Sequence, residues 1–151
     1  MPNWCKGSLK VRGTKENLTK FILEGLHPVG FLGEEKAKLH LDEYGDVDSN
    51  ETCWIEGTRR GFVEGVAAYL SEIEDGESFI VVFDSKFAWG ISAEELLKTC
   101  SKYHVDMKIH AFEKGMEFNQ IIEIIDEKII KDEELYFENY QWECICPDMG
   151  G

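Results

Sequence analysis

The sequence predicts an α+β fold of the ferredoxin-like (βαββαβ) arrangement, an antiparallel sheet with two helices on one face and an added C-terminal β-hairpin. Three observations predict it. Short segments that alternate apolar and polar residues recur along the chain, and a two-residue period marks a half-buried strand. Two other segments carry apolar residues at helical spacing. Their order is strand, helix, several strands, helix, strand and a terminal strand pair, which lets both amphipathic helices cover one face of a sheet.

SLKVR, Ser8 to Arg12, places Leu9 and Val11 on one face and Lys10 and Arg12 on the other, then stops at Gly13. Thr14 is a candidate cap for a helix whose stripe is Leu18, Phe21, Ile22 and Leu26. Gly25 and then His27-Pro28 end that helix. KLHLDEY (38–44) and TCWIEGT (52–58) read as strands paired in a hairpin around an acidic turn from Gly45 to Glu51. Residues 59–75 suit a helix through Phe62, Val66, Tyr69, Leu70 and Ile73, while Gly61, Gly65 and the preceding strand suit a longer extended arm. SFIVVF (78–83) reads as a short buried strand. Ser92 with Glu95 forms a capping box ahead of Leu96, Leu97 and Cys100, predicting a second helix over 92–103. VDMKIHA (105–111) alternates without a break, with Val105, Met107, Ile109 and Ala111 on one side. NQIIEIID (119–126) and EELYFENYQW (133–142) are two further strands joined by a short acidic turn.

At 151 residues the chain has the size of one domain, residues 1–151, with no repeat, linker or low-complexity tract. Nine Phe, five Tyr and four Trp are too many for a disordered chain, and no apolar run approaches the roughly 20 residues of a membrane span. No apolar leader follows Met1, and the five cysteines are an odd number, so free thiols in a reducing cytoplasm are expected. The net charge of −14 opposes docking on a phosphate backbone. The charge is uneven: residues 1–20 hold five bases and one acid, whereas 42–56 hold six acids and no base. Such asymmetry steers a basic partner, and the expected partner is another protein.

Met1-Pro-Asn-Trp-Cys5, Trp54-x-x-Gly57-Thr58-Arg59-Arg60, Phe87-Ala88-Trp89-Gly90 and Phe112-Glu-Lys-Gly-Met-Glu-Phe118, with a closing Tyr140-x-Trp-x-Cys-x-Cys-Pro-x-Met-Gly-Gly151, resemble the YubB-like ferredoxin-fold family. Those proteins occur on plasmids, phages and integrated elements of bacteria, and the closing motif looks like a Gram-positive branch. The resemblance implies an accessory protein of a mobile genetic element and no catalytic residues. "Ferredoxin-like" names a chain path here, and no cofactor is expected.

The tail QWECICPDMGG (141–151) asks whether its Cys-x-Cys holds metal, runs redox chemistry or packs. A continuing strand puts Tyr136, Tyr140, Trp142, Cys144 and Cys146 on one face, with alternate Cα atoms about 6.6 Å apart, at the edge of disulfide reach. A metal set of Cys5, Cys144 and Cys146 lacks a fourth ligand, so packing of small apolar thiols is the expectation. Asp46-x-Asp48-x-Asn50 opens like an EF-hand loop, but Glu51 stands where Gly is needed and Gly57 where the bidentate Glu is needed. A solvated turn is expected there. His104, Asp106 and His110 share the polar face of one strand, the two histidines about 20 Å apart, too far for one metal.

Arg59 and Arg60 beside flexible glycines suit bidentate contact with carboxylate or phosphate, or internal pairing with the abundant acids. The candidate binding residues are therefore Trp54, Arg59, Arg60, Trp89 and Glu113. Three functional readings follow: a non-catalytic protein-binding module acting through its aromatic-rich sheet or acidic loops; an acidic nucleic-acid mimic that inhibits a host defence nuclease; and a small-ligand protein or enzyme built on Arg59, Arg60, Trp89 and Glu113 around one pocket. G-x-S-x-G, P-loop, G-x-G-x-x-G and H-E-x-x-H motifs are absent from the sequence.

Overall fold

The computed structural model describes residues 1–136. In order along the chain are β1 (Trp4–Thr14), α1 (Lys15–Lys20) continued by a π turn Phe21–Gly25, β2 (Leu26–Pro28), β3 (Val47–Ile55) and β4 (Gly61–Ala68). A 3₁₀ turn (Leu70–Glu72), β5 (Ser78–Ala88), α2 (Ala93–Tyr103), β6 (Asp106–Glu113), β7 (Phe118–Ile125) and β8 (Lys128–Tyr136) follow. All eight strands form one antiparallel sheet in the order β2-β3-β4-β5-β1-β6-β7-β8.

This corrects the expected ferredoxin-like α+β fold. Strand accounts for 51% of residues against 18% helix, and the two helices, of six and eleven residues, are too short to form the full second layer that the expectation required. The excess strand has several sources, among them the extension of β1 and β5 to eleven residues each. Residues 59–75, legible either way, contribute β4, because β3 and β5 on either side satisfy its backbone and Gly65, at φ +85°, takes a turn of chain that a helix would not use. The predicted first helix gives way early: Thr14 caps it by accepting from Asn17 N at 3.2 Å, but Leu26 already pairs with Ile55 in β2. The last strand begins earlier than expected, β8 starting at Lys128, so that β7 and β8 join around Asp126 and Glu127, both at positive φ, as a two-residue hairpin turn requires. Residues 137–142 of the predicted last strand lie outside the described residues.

The predicted strand 38–44 is also overturned. That stretch is irregular, and β3 instead pairs with β2 and β4, so most of the expected acidic turn 45–51 is strand. The EF-hand-like spacing is therefore spread along β3 from Val47 onward, and Asp46 Oδ1 accepts from Ser71 N at 2.8 Å.

The core lies on one face of the sheet. Leu9 and Val11 of β1 sit opposite Phe83 and Val81 of β5 and opposite Ile109 and Met107 of β6. Leu18, Phe21, Leu96, Cys100 and Tyr103 from the helical segments close over them, with Phe21 edge-on to Phe83 at 6.3 Å and to Tyr103 at 5.8 Å. Each such side chain removed from water contributes about 1.5–3 kcal/mol. Gly7 of β1 is required by proximity, because a Cβ there would lie 2.1 Å from the His110 carbonyl oxygen.

The other face carries no element among the described residues. Lys6, Ser8, Lys10 and Arg12 of β1 and Ile80, Val82 and Asp84 of β5 are exposed there. SFIVVF is thus half buried, since Ile80 and Val82 point away from the core with 48% and 52% of their surface open. No described helix is long and apolar enough to cross a membrane.

Candidate functional site

Register places one residue from every strand in a single row on the face away from the core: His27, Trp54, Phe62, Lys86, Lys6, Phe112, Asn119 and Leu135, of which Asn119 is buried and Lys6 exposed. Trp4, at the start of β1, stands beside this row. Its ring meets Phe62 edge-on at 6.1 Å and lies 5.5 Å from Lys86 Nζ and 5.8 Å from the Arg60 guanidinium carbon. A cation over an indole face is attracted by the ring quadrupole, so Arg60 and Lys86 both engage Trp4.

Arg60 also reaches around the end of the sheet into a pocket of about 350 Å³, lined by Arg59, Phe87, Ala88 and Trp89 among others. Several local devices position this corner. Thr58 Oγ1 donates to Ile55 O at 2.7 Å and accepts from Gly61 N at 3.0 Å, closing the β3–β4 turn. Thr99 of α2 donates to Glu56 O at 2.7 Å, tying that turn to the helix. Ser92 caps α2 by accepting from Glu95 N at 3.3 Å, but the predicted capping box is not reciprocal: the Glu95 carboxylate accepts from Arg59 N at 2.9 Å.

Trp89 is the unusual residue. It has φ +68°, a left-handed conformation that costs a bulky L-residue about 1–2 kcal/mol, yet 62% of it is exposed. The neighbours over-determine it. Trp89 N donates to Asn3 O at 2.8 Å, and Ala88 N donates to Arg60 O at 3.1 Å. The buried Gln120 side chain clasps Ile91 from both sides, its Oε1 accepting from Ile91 N at 2.7 Å and its Nε2 donating to Ile91 O at 3.2 Å. Backbone strain held in this way concentrates at functional sites.

Of the predicted site residues, Arg59, Arg60 and Trp89 meet in this pocket. Glu113 does not line it. It is buried on the core face opposite Cys5, and its carboxylate accepts from Gly115 N at 2.7 Å and Met116 N at 2.6 Å, anchoring the β6–β7 turn. Trp54 belongs to the open-face row, where its indole tilts against His27 at 5.4 Å and donates to Thr58 O at 3.0 Å. Asn3, Trp4 and Gln120 were not among the predicted site residues. Strand parity carried the signal for Trp4, which shares the face of Lys6, Lys10 and Arg12.

Neither guanidinium at the corner makes an ion pair among the described residues, and Lys6 and Lys10 make none either. Three open-face carboxylates, by contrast, are matched: Asp106 with Arg12 at 2.7 Å, Glu64 with Lys86 at 2.5 Å and Glu123 with Lys108 at 2.7 Å. The corner is a basic, aromatic island in an acidic chain.

The described residues include no group of three His, Cys, Asp or Glu side chains able to hold a metal. His104 sits at the end of α2 at φ +52°, Asp106 is taken by Arg12, and the His110 imidazole is held below its usual pKa by burial and by Lys108. Cys5 is fully buried, its thiol pushed up to about 12 by burial and then by Glu113 and Glu134. It faces Gln120 Oε1 at 3.8 Å. Cys144 and Cys146 lie outside the described residues.

Comparison of the chain with protein-family models, curated proteins and solved structures yields no match.

Proposed function

We propose that this chain is a non-catalytic protein-binding module that takes an acidic, apolar segment of another protein on the surface running from the Trp89 corner over Arg60 to Trp4 and Phe62. In keeping with the YubB-like resemblance, its setting is a cytoplasmic accessory role on a mobile genetic element. One observation carries the reading: Trp89 is held exposed in a strained conformation beside two unpaired guanidiniums. Arginine forks match carboxylates bidentately, and a rigid indole offers contact area at low entropic cost, so the pair suits a segment bearing Asp or Glu next to an apolar residue. The polar groups of the same pocket are already engaged with backbone, Ser92 Oγ with Glu95 N and the Glu95 carboxylate with Arg59 N, which leaves neither poised as nucleophile or base. The partner of this surface is acidic where it touches, whereas the acidic loops elsewhere suit a basic one.

The test is titration of the protein with short acidic, aromatic peptides, read by tryptophan fluorescence and calorimetry. Binding that R59A/R60A and W89A each weaken at least about tenfold supports the proposal. Tighter binding of single-stranded oligonucleotides at the same face, or peptide affinity unchanged in both variants, would replace it.

A further inference from the structure

Between β2 and β3 the chain makes a small, well-braced turn, Gly30-Phe31-Leu32-Gly33. Gly30 N donates to Glu34 O at 2.8 Å, Gly33 N donates to Gly30 O at 3.0 Å, and Leu32 N donates to a Glu34 carboxylate oxygen at 3.0 Å. Val29 bridges Glu35, and Lys36 N donates to Pro28 O at 3.0 Å, tying the base of the turn to the sheet edge. Gly33 has φ +85°, a left-handed conformation that favours glycine, so this glycine suits the shape of the turn. The turn holds Phe31 and Leu32 at its tip, 100% and 89% exposed. Two large apolar side chains fixed in water on a braced turn form a preorganised insert, whose docking costs little further ordering.

We propose that this tip seats in the Trp89 pocket of a second copy of the chain. The inference rests on reading that pocket as a site for an acidic, apolar segment, and the tip is such a segment. Phe31 and Leu32 are followed, after Gly33, by Glu34 and Glu35, while the pocket has Phe87, Ala88 and Trp89 as an apolar wall and Arg59 and Arg60 as its unpaired rim, its one carboxylate, Glu95, being engaged by Arg59 N. Lys36 does not offset those acids, being held by Glu51 at 2.5 Å. One copy does not fill its own pocket. Leu26 pairs with Ile55 and Pro28 with Cys53, so the turn leaves along β3 in the direction away from the Arg59–Arg60 corner. The contact joins different surfaces of the two copies, so it either closes as a reciprocal two-fold dimer or propagates head to tail into a ring or a filament.

Sedimentation equilibrium tests this directly. The wild type is expected to rise in weight-average mass with concentration up to about 1 mM, a range that detects even a millimolar contact. F31A/L32A, altered only at an exposed tip, is expected to stay monomeric. E34K/E35K and R59E/R60E are each expected to lose association, and an equimolar mixture of the two is expected to regain it, because each tip then faces a pocket of opposite charge. A monomeric wild type, association that persists in F31A/L32A, or a mixture that fails to regain it overturns the proposal. So does tip-dependent sedimentation with phosphatidylcholine vesicles in place of self-association. Acidic-peptide binding that survives in a monomeric F31A/L32A protein separates failure of this inference from failure of the protein-binding reading.

Discussion

Replacing Trp89 by alanine and, separately, by glycine isolates the strain at the corner. Both changes delete the indole, which is largely in solvent at 62% exposure, so whatever contact is lost is lost equally. They differ in backbone alone. Alanine at φ +68° keeps a left-handed penalty of about 1–2 kcal/mol, whereas glycine has none. Glycine gives back about 0.5–1 kcal/mol through the greater freedom of its unfolded chain. The Trp89→Gly protein is therefore expected to be more stable than Trp89→Ala by about 0.5–1 kcal/mol, which corresponds to about 1–4 °C in Tm for a chain of this size. Urea and thermal denaturation of the two proteins side by side measure the difference. Peptide affinity is expected to fall equally in both, since neither presents the ring. An alanine protein as stable as the glycine protein would show that the hydrogen bonds to the Asn3 and Arg60 carbonyls and with the Gln120 amide do not hold residue 89 left-handed, and the strain-based case for the site would fall with it.

Gln120→Ala leaves the Ile91 N–H and carbonyl buried without their clasp and is expected to destabilise by about 2–4 kcal/mol, measured by urea unfolding. Loss of less than about 0.5 kcal/mol would show that the clasp does not form. Burial raises the Glu56 carboxyl, but Lys102 Nζ at 2.8 Å and the Tyr103 hydroxyl outweigh it and hold the group below its usual range. Because the folded value is depressed, this stabilisation is present above the ordinary carboxylate range and is lost as pH falls through the folded value. The Tm deficit of Glu56→Gln is thus expected at pH 7 and is expected to shrink toward pH 3; an equal deficit at both would refute the linkage. The Cys5 and Cys100 thiols are pushed up to about 12 and Cys53 to about 11, burial being the main cause in each. Iodoacetamide at pH 8 is expected to label these three only after denaturation, read by peptide mass spectrometry, and rapid native labelling of Cys5 would contradict its placement.

Local pattern made several elements legible. The alternation of Leu9 and Val11, and of Val105 to Ala111, correctly placed those residues on the core face, because successive side chains of a strand point to opposite sides whatever lies next to it. Thr14 and Ser92 marked helix starts for an equally local reason, since each side-chain oxygen accepts from a backbone N–H three residues on. Residues 61–68 were not legible, because Phe62, Val66 and Leu70 satisfy a helical period while Gly61, Val63, Val66 and Ala68 are the buried set of a strand paired across a bulge in β3. Which period prevails depends on whether β3 and β5 are there to accept the hydrogen bonds. Residues 38–44 failed the same test in reverse, alternating without a neighbour to pair with.

The site divides along the same line. Arg59 and Arg60 were legible as adjacent cations in an acidic chain, and Trp89 and Glu113 as parts of motifs, but the motif did not reveal that the Glu113 carboxylate is taken by Gly115 N and Met116 N of its own turn. By itself the sequence determined which side chains turn inward on each clear strand, where the helices begin and how charge is distributed, since these depend on residues a few positions apart. Only the tertiary structure decided that Trp4 lies against Ala88, that β1 runs between β5 and β6, and that Asn3 and Gln120 hold Trp89 open beside Arg60. Those contacts join positions far apart in the chain, and a backbone conformation as costly as that of Trp89 persists only when partners from several strands impose it together.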